Sequence, residues 1–366
     1  MHAQSIPHPY SKLLDYVRQL PAAACRTRKM NLVWMMLGML HSRSVHLHHI
    51  ARRIPVRAKT VSLERRLRRF VDNAAIRVRE WYEPQARALL LAASQGGRVH
   101  LLIDGSKVAR NHMLLMVSVA YRRRSVPLAW TWGRSGRGMS PTRKQLALLG
   151  YVQRLLPPGA QVDLVGDCEF NKPDLIRQLR QWGWDYALRQ PAHYLMQSAC
   201  QAAYQRLDAH PLRPGNMHWL GRVTLTRAHP VCTHLVLYWA PTQAEPWYLA
   251  TNLLCPQPAL RLYRRRMWIE EMFGDMKKHG FDLEATRLRA LLRLSRLTLV
   301  VCLLYLWLIA LGEHLIRSGQ TDLVDRHDRC DLSLFRLGWD FLERCCALGD
   351  PLPSVFVPTF CLVSGC

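Results

Sequence analysis

The order of short apolar runs between residues 99 and 189 constrains this chain more than any other feature. Val99 to Ser106 is an apolar run that closes on Asp104 and the turn residue Gly105. Met113 to Ala120 and Val126 to Trp132 are both strand-like, with the basic residues Arg122 to Arg124 between them as a hairpin. A helix follows over Pro141 to Leu156, then a fourth strand over Gln161 to Gly166 that ends at Asp167. Pro173 to Trp182 makes a second helix and Trp184 to Arg189 a fifth strand. The order β-β-β-α-β-α-β predicts an α/β fold, a mixed sheet flanked by helices.

The flanks of this block differ in kind. Residues 1–95 read as helical, with MNLVWMMLGMLH from Met30 apolar on nearly every side and therefore buried. In the helix VSLERRLRRFV, Leu63, Leu67 and Phe70 face inward while Arg65, Arg66, Arg68 and Arg69 face out. Short helices ending at Pro55 and followed by this Arg-studded one suggest a helical DNA-binding domain with Arg65, Arg66 and Arg69 as contacts. A solvated face whose arginine stems cover apolar surface is the plainer alternative. His46, His48 and His49 lack the helix-face spacing for joint metal ligation and read as surface histidines. The segment SQGGR ends this unit, and residues 96–190 form the first part of the core. Residues 191–258 alternate like antiparallel strands (221–226, 234–239 and 247–252) and form a β-rich insertion. Residues 259–348 return to helices, and the Pro-containing tail 349–366 is expected to be poorly ordered.

Within the helical return lies YRRRMWIEEMFGDMK, from Tyr263 to Lys277. As one helix at about 100° per residue, it would place Tyr263, Arg266, Glu270 and Lys277 within an arc of roughly 60°. Glu271 and Asp275 point well away. A carboxylate can hold a divalent metal, and a phenol, a guanidinium and an ammonium can hold a phosphate and its sugar. A solvated basic helix with an internal Arg266–Glu270 salt bridge is the bland alternative. The spacing Tyr-x2-Arg-x3-Glu-x6-Lys resembles the YREK signature of cut-and-paste insertion-sequence transposases, DDE enzymes on an RNase H-like fold. Asp167-Cys-Glu-Phe170 is also similar to that family's Asp-x-x-Phe motif, and GFDLEATRLR to its continuation after the signature. The resemblance runs from about Leu101 to the helix SLFRLGWDFLERCC, with the N-terminal module looser. It departs after the first acid, where relatives often carry a second Asp and a Thr and this chain has Gly105 and Ser106.

The resemblance implies a fold in which the first and fourth strands are neighbours, so that Asp104 and Asp167 meet at their ends. Asp163 lies within its strand and is set aside; Glu169 is left open between a supporting role and a surface position. Asp104, Asp167 and Glu270 would then be the catalytic, metal-binding triad, suited to two Mg²⁺ ions with Mn²⁺ able to substitute. Tyr263, Arg266 and Lys277 would grip the DNA beside the cleaved bond. The family's cut-and-paste route runs through a hairpin intermediate, and its insertion carries an aromatic that stacks on a flipped base; Trp219, Trp239 and Trp247 are candidates. Family members work as homodimers around paired double-stranded ends. A metal-dependent nuclease that cuts without joining is the alternative enzyme, and an inactive DNA-binding relative the alternative without catalysis.

Composition agrees with a polyanion partner. The 366 residues carry a formal charge of +25, mostly as arginine and spread over the whole length. Eleven cysteines include no C-x-x-C pair, which points to reduced thiols and no zinc. Residues 1–20 lack the apolar stretch of a signal peptide. The apolar run from Leu297 to Gly312, bounded by Arg293, Arg296, Glu313 and His314, is short for a membrane span and reads as a buried core helix. A location in the bacterial cytoplasm, at the nucleoid and without membrane attachment, is the expectation.

Overall fold

The structure, a computed structural model, describes residues 9–20, 25–108, 111–134, 139–198, 203–326 and 331–360. Strands β1 (Arg98–Val108), β2 (His112–Tyr121) and β3 (Arg124–Arg134) form an antiparallel meander. Arg122 and Arg123 make the β2–β3 turn, both at positive φ (42° and 61°), the twist that a two-residue hairpin demands. After α6 (Thr142–Gln153), strand β4 (Gln161–Gly166) returns parallel to β1, in register from Arg98↔Gln161 to Ile103↔Gly166. Helix α7 (Pro173–Gln181) then leads to β5 (Asp185–Arg189), parallel to β4. The expected RNase H-like mixed sheet is therefore present as β3-β2-β1-β4-β5.

The insertion does not stand apart from that sheet. Strands β6 (Leu195–Ser198), β7 (Gln205–Arg206), β8 (Met217–Leu225), β9 (Val231–Tyr238) and β10 (Trp247–Thr251) extend it to ten strands. The join is β10, antiparallel to β5 through Leu249↔Arg189 to Thr251↔Ala187. Pairing with the edge of β5 satisfies backbone groups that an exposed edge would leave open.

The long apolar run becomes α10 (Leu291–Arg317), which packs against β3. It is long and apolar enough to cross a membrane, yet its apolar window is 94% buried in the protein. Helix α11 (Leu334–Leu348) crosses it where two glycines meet. A Cβ on Gly312 would stand 2.0 Å from the Leu334 carbonyl oxygen, and one on Gly338 1.9 Å from that of Leu308. Only glycine permits such a backbone approach.

Helices α1 (Pro9–Gln19), α2 (Arg26–Ser42), α3 (Leu47–Arg52), α4 (Thr60–Asp72) and α5 (Val78–Gln95) share this hydrophobic core. Helix α5 lies on β1 and β3, and the Tyr82 hydroxyl donates to the Pro127 carbonyl at 2.8 Å. Buried Arg296 of α10 donates to the carbonyls of Val71 and Ile76 at 2.9 and 3.1 Å, tying the helical segment to the core. As expected, α2 is buried from Asn31 to Leu40.

Several expectations change. The tail is ordered over residues 350–360: Phe356 stacks on Tyr16 at 4.3 Å and also faces Trp307, and Phe360 meets the edge of Tyr121. Thr359 donates its N–H to buried Glu313 at 2.8 Å. Spaced aromatics and a carboxylate needing donors hold a segment without periodicity. Arg66 does not face out; its guanidinium lies 3.9 Å over the Trp34 ring and its Nε donates to Asn31 at 2.6 Å. Finally, Tyr263–Lys277 is not one helix. Helix α8 (Pro256–Arg264) ends before α9 (Met267–Met276) begins, and Arg265, Arg266 and Trp268 bond to carbonyls three residues back.

Candidate active site

Two adjacent arginines part company at the helix break. Arg265 and Arg266 are neighbours with opposite destinations on the sheet face below. Arg265 places Nη1 3.0 Å from His100 Nδ1, which is itself 2.7 Å from the buried Asp163 carboxylate. Arg266 turns the other way, with Nη1 2.5 Å from Glu270 and 4.0 Å from Asp104 Oδ2. Tightening to three-residue spacing eclipses Tyr263 and Arg266, and the guanidinium lies 6.0 Å from the Tyr263 ring centroid.

Asp104 is not at the end of its strand. Pairing with β4 stops at Ile103↔Gly166, but β1 continues to Val108 against β2, so Asp104 and Gly105 are strand residues and not a turn. The reason is the antiparallel partner: Met116 and Leu115 lie opposite them. Asp104 nonetheless follows directly on the last β1–β4 pair, Ile103↔Gly166, as Asp167 does on the other strand, and the Asp167 charge acts on it. It is 7% exposed and accepts the Gly105 N–H at 2.7 Å. Burial, then the Asp167 charge, pushes its carboxyl up to about 8; Arg266 opposes the rise and Glu270 adds to it.

Asp167 follows β4 directly and caps a short 3₁₀ turn, Cys168–Phe170, by accepting the Glu169 N–H at 2.8 Å. Phe170 is fully buried and folds back on Gly166, where a Cβ would stand 2.9 Å from its ring. The Phe of the motif thus pins the turn that aims Asp167. Glu169, undecided in the sequence, is buried and bound by the Ser140 N–H at 2.6 Å and by the Ser140 hydroxyl. A Cβ on Gly105 would lie 2.8 Å from its Oε2, so Gly105 leaves room for Glu169 beside Asp104. Burial raises the Glu169 carboxyl, and the bonds from Ser140 counter it. Nothing in its local sequence signals that burial; the distant Ser140 decides it.

Glu270 stands in the first turn of α9, 41% exposed at its side chain. Glu271 and Asp275 lie on another side of the helix, paired with Arg124 at 3.1 and 3.3 Å. Tyr263 is buried, edge-on to Trp247 with ring centroids 5.0 Å apart, and burial pushes its hydroxyl up to about 12. Lys277 closes α9, donating to the Lys107 carbonyl at 2.9 Å and pairing with Glu284 at 2.9 Å, at the far end of β1. Trp219, Trp239 and Trp247 are all half-buried. Of the expected N-terminal contacts, Arg65 and Arg69 are exposed on α4 and Arg66 packs on Trp34. His48 pairs with Glu64 at 3.1 Å, whereas both ring nitrogens of His46 are buried rather than at the surface.

The structure therefore gathers Asp104, Asp167, Arg266 and Glu270 from β1, the end of β4 and the start of α9. Among the described residues no three acidic, His or Cys side chains are already arranged to hold one metal ion; a guanidinium stands between Glu270 and Asp104. The described cysteines are all free.

Comparison with known proteins bears on the same region. Residues 142–307 match the family model of the transposase DDE domain. No curated protein matches the chain. Among solved structures, it is similar to a piggyBac transposase, in a cryo-EM synaptic complex with hairpin DNA, at 11% identity and a TM-score of 0.40 over 93% of this chain and 78% of that one. The family match spans Asp167 and Tyr263 to Lys277 and leaves Asp104 before it, so that residues 142–307 are similar to the transposase DDE domain.

Proposed function

We propose that this chain is a DDE transposase that cuts DNA at the ends of its own mobile element and joins the freed ends to target DNA, with Asp104, Asp167 and Glu270 as its catalytic acids. The observation that carries the reading is that Arg266 reaches both Asp104 and Glu270 while the Asp167 charge acts on Asp104, three acids from distant parts of the chain. The donor set is hard carboxylate oxygen, and the charge of Asp167 beside buried Asp104 is the situation that a cation relieves; these residues suit Mg²⁺, or Mn²⁺ in its place. Bound there, such ions supply activation of a water or 3′-hydroxyl and neutralise charge on the phosphate.

The chain's own residues do the rest. Asp167 is aimed by its 3₁₀ turn and Asp104 by its strand, so two acids are held before substrate arrives. Arg266 exchanges its carboxylate partner for a phosphate, for which its planar fork is matched. Tyr263, buried beneath it, holds that guanidinium in place, and Lys277 takes the strand farther along β1. The likeness to the YREK signature supports a route through a hairpin at each end, on double-stranded DNA held by two copies of the chain. The reading is tested by incubating pre-cut 3′-hydroxyl ends with target plasmid and Mg²⁺. Joined products that vanish in Glu270→Ala are expected. Nicking without joining would instead assign a nuclease, and neither activity a DNA-binding relative.

A further inference from the structure

A second basic feature lies outside the acid site. Arg68 of α4, Arg134 at the end of β3, Arg287 and Arg289 of the loop before α10, and Arg293 in its first turn line one open cleft of about 430 Å³. Arg68 is paired with Glu64 at 2.9 Å, and Arg293 with Asp72. Arg134, Arg287 and Arg289 are exposed, and among the described residues none has a carboxylate partner. Helix α10 opens into the same cleft at Ala290 with no acidic residue in its first turn and no side-chain cap. Its first N–H groups and dipole add to the positive potential. Converging guanidiniums that three separate segments hold together repel one another until an anion separates them.

We propose that this cleft is a backbone-binding site for duplex DNA, the same duplex whose cleaved bond lies at Asp104 and Asp167; that second clause rests on the function proposed above. Register places the two sites on one rim. Arg134 pairs with His112, which pairs with Val108. The cleft is therefore two strands aside from β1 and four residues beyond Asp104, or roughly 16 Å away at strand spacings. At about 3.4 Å per base pair, that is roughly five base pairs along the duplex. Arg289 is further fixed by its own carbonyl, which lies 3.0 Å from His112 Nε2. Arg68, and not Arg65, Arg66 or Arg69, is the arginine that α4 brings to the cleft.

The test compares the wild type with Arg134→Gln/Arg287→Gln/Arg289→Gln for binding a 30-base-pair DNA duplex in EDTA across a potassium chloride series. Each lost phosphate contact lowers the slope of log K against log salt by about 0.9, so the slope should fall by about 2 to 3. The corresponding triple lysine variant, which keeps the charges, should retain the wild-type slope. Single Arg289→Gln, with a fall of about 1, serves if the triple variant does not fold. An unchanged slope, or tighter binding of an RNA duplex of the same length, overturns the proposal. Because EDTA excludes catalysis, the outcome is independent of strand transfer: joining with an unchanged slope refutes the cleft alone, and a lowered slope without joining refutes the catalytic reading alone.

Discussion

Replacing Arg266 by alanine removes the positive group that separates the acids. The guanidinium is 4.0 Å from Asp104 and 2.5 Å from Glu270. Its pair with Glu270 is partly open to solvent, and such pairs contribute about 1 kcal/mol or less. The Asp104 interaction is buried; unit charges 4.0 Å apart attract by about 4 kcal/mol at an effective dielectric near 20. That attraction counts only when Asp104 is ionised. Its folded-state value is raised from 3.8 to about 8, so the native state keeps a proton that the unfolded chain releases. Stability from this group is full below about pH 4 and is lost as pH rises toward 8. Arg266 limits that loss by favouring the carboxylate. Arg266→Ala should therefore cost about 1 kcal/mol at pH 6 and about 2 to 3 kcal/mol at pH 9, after allowing for the guanidinium's own desolvation. Urea unfolding in EDTA at the two pH values measures the difference. Adding Mg²⁺ at pH 8 should stabilise the variant more than the wild type, where the cation must first displace the guanidinium. An equal cost at both pH values, or equal stabilisation of both proteins by Mg²⁺, would refute the reasoning.

Glu270→Ala should lower Mg²⁺-dependent nicking of plasmid DNA by about 10²-fold or more, whereas Glu271→Ala, whose side chain pairs with Arg124, should leave it near the wild-type level. Gly338→Ala puts a Cβ 1.9 Å from the Leu308 carbonyl oxygen, on backbone that cannot swing aside; the urea midpoint should drop by the equivalent of about 2 kcal/mol or more. Thr359→Val removes the hydroxyl that donates to buried Glu313 at 2.5 Å and should cost about 1.5 to 3 kcal/mol, measurable as a lower thermal midpoint; no loss would mean that residues 350–360 do not hold the core.

Much of the architecture was legible before any coordinates. Apolar runs and the helical segments between them marked the strands and helices from β1 to β5, and the family resemblance implied the β1–β4 neighbourhood. Asp167 was readable because a strand ended at it. Asp104 was misread in its setting: Asp-Gly looks like a turn until β2 supplies a pairing partner. The Tyr263–Lys277 spacing put Arg266 beside Glu270 but did not show the break between α8 and α9, because nothing local shows that Arg265 and Arg266 have different partners. Glu169 and Arg66 were misjudged or undecided for a common reason. A polar side chain is buried or exposed according to what stands opposite, here Ser140 and Trp34, each many residues away.

By itself the sequence determined what depends on neighbours along the chain: the kind of most elements, the excess of positive charge, and the acid that follows β4. Only the tertiary structure decided what depends on approach between distant segments. It set the depth of Asp104, the guanidinium lodged between it and Glu270, the growth of the insertion onto the β5 edge, the tail seated on Tyr16, and an arginine cleft assembled from three segments. The division has a physical basis. Backbone geometry and side-chain alternation are short-range and repeat along the sequence, whereas burial, charge compensation and pairing are settled by whichever group packing brings within a few ångströms.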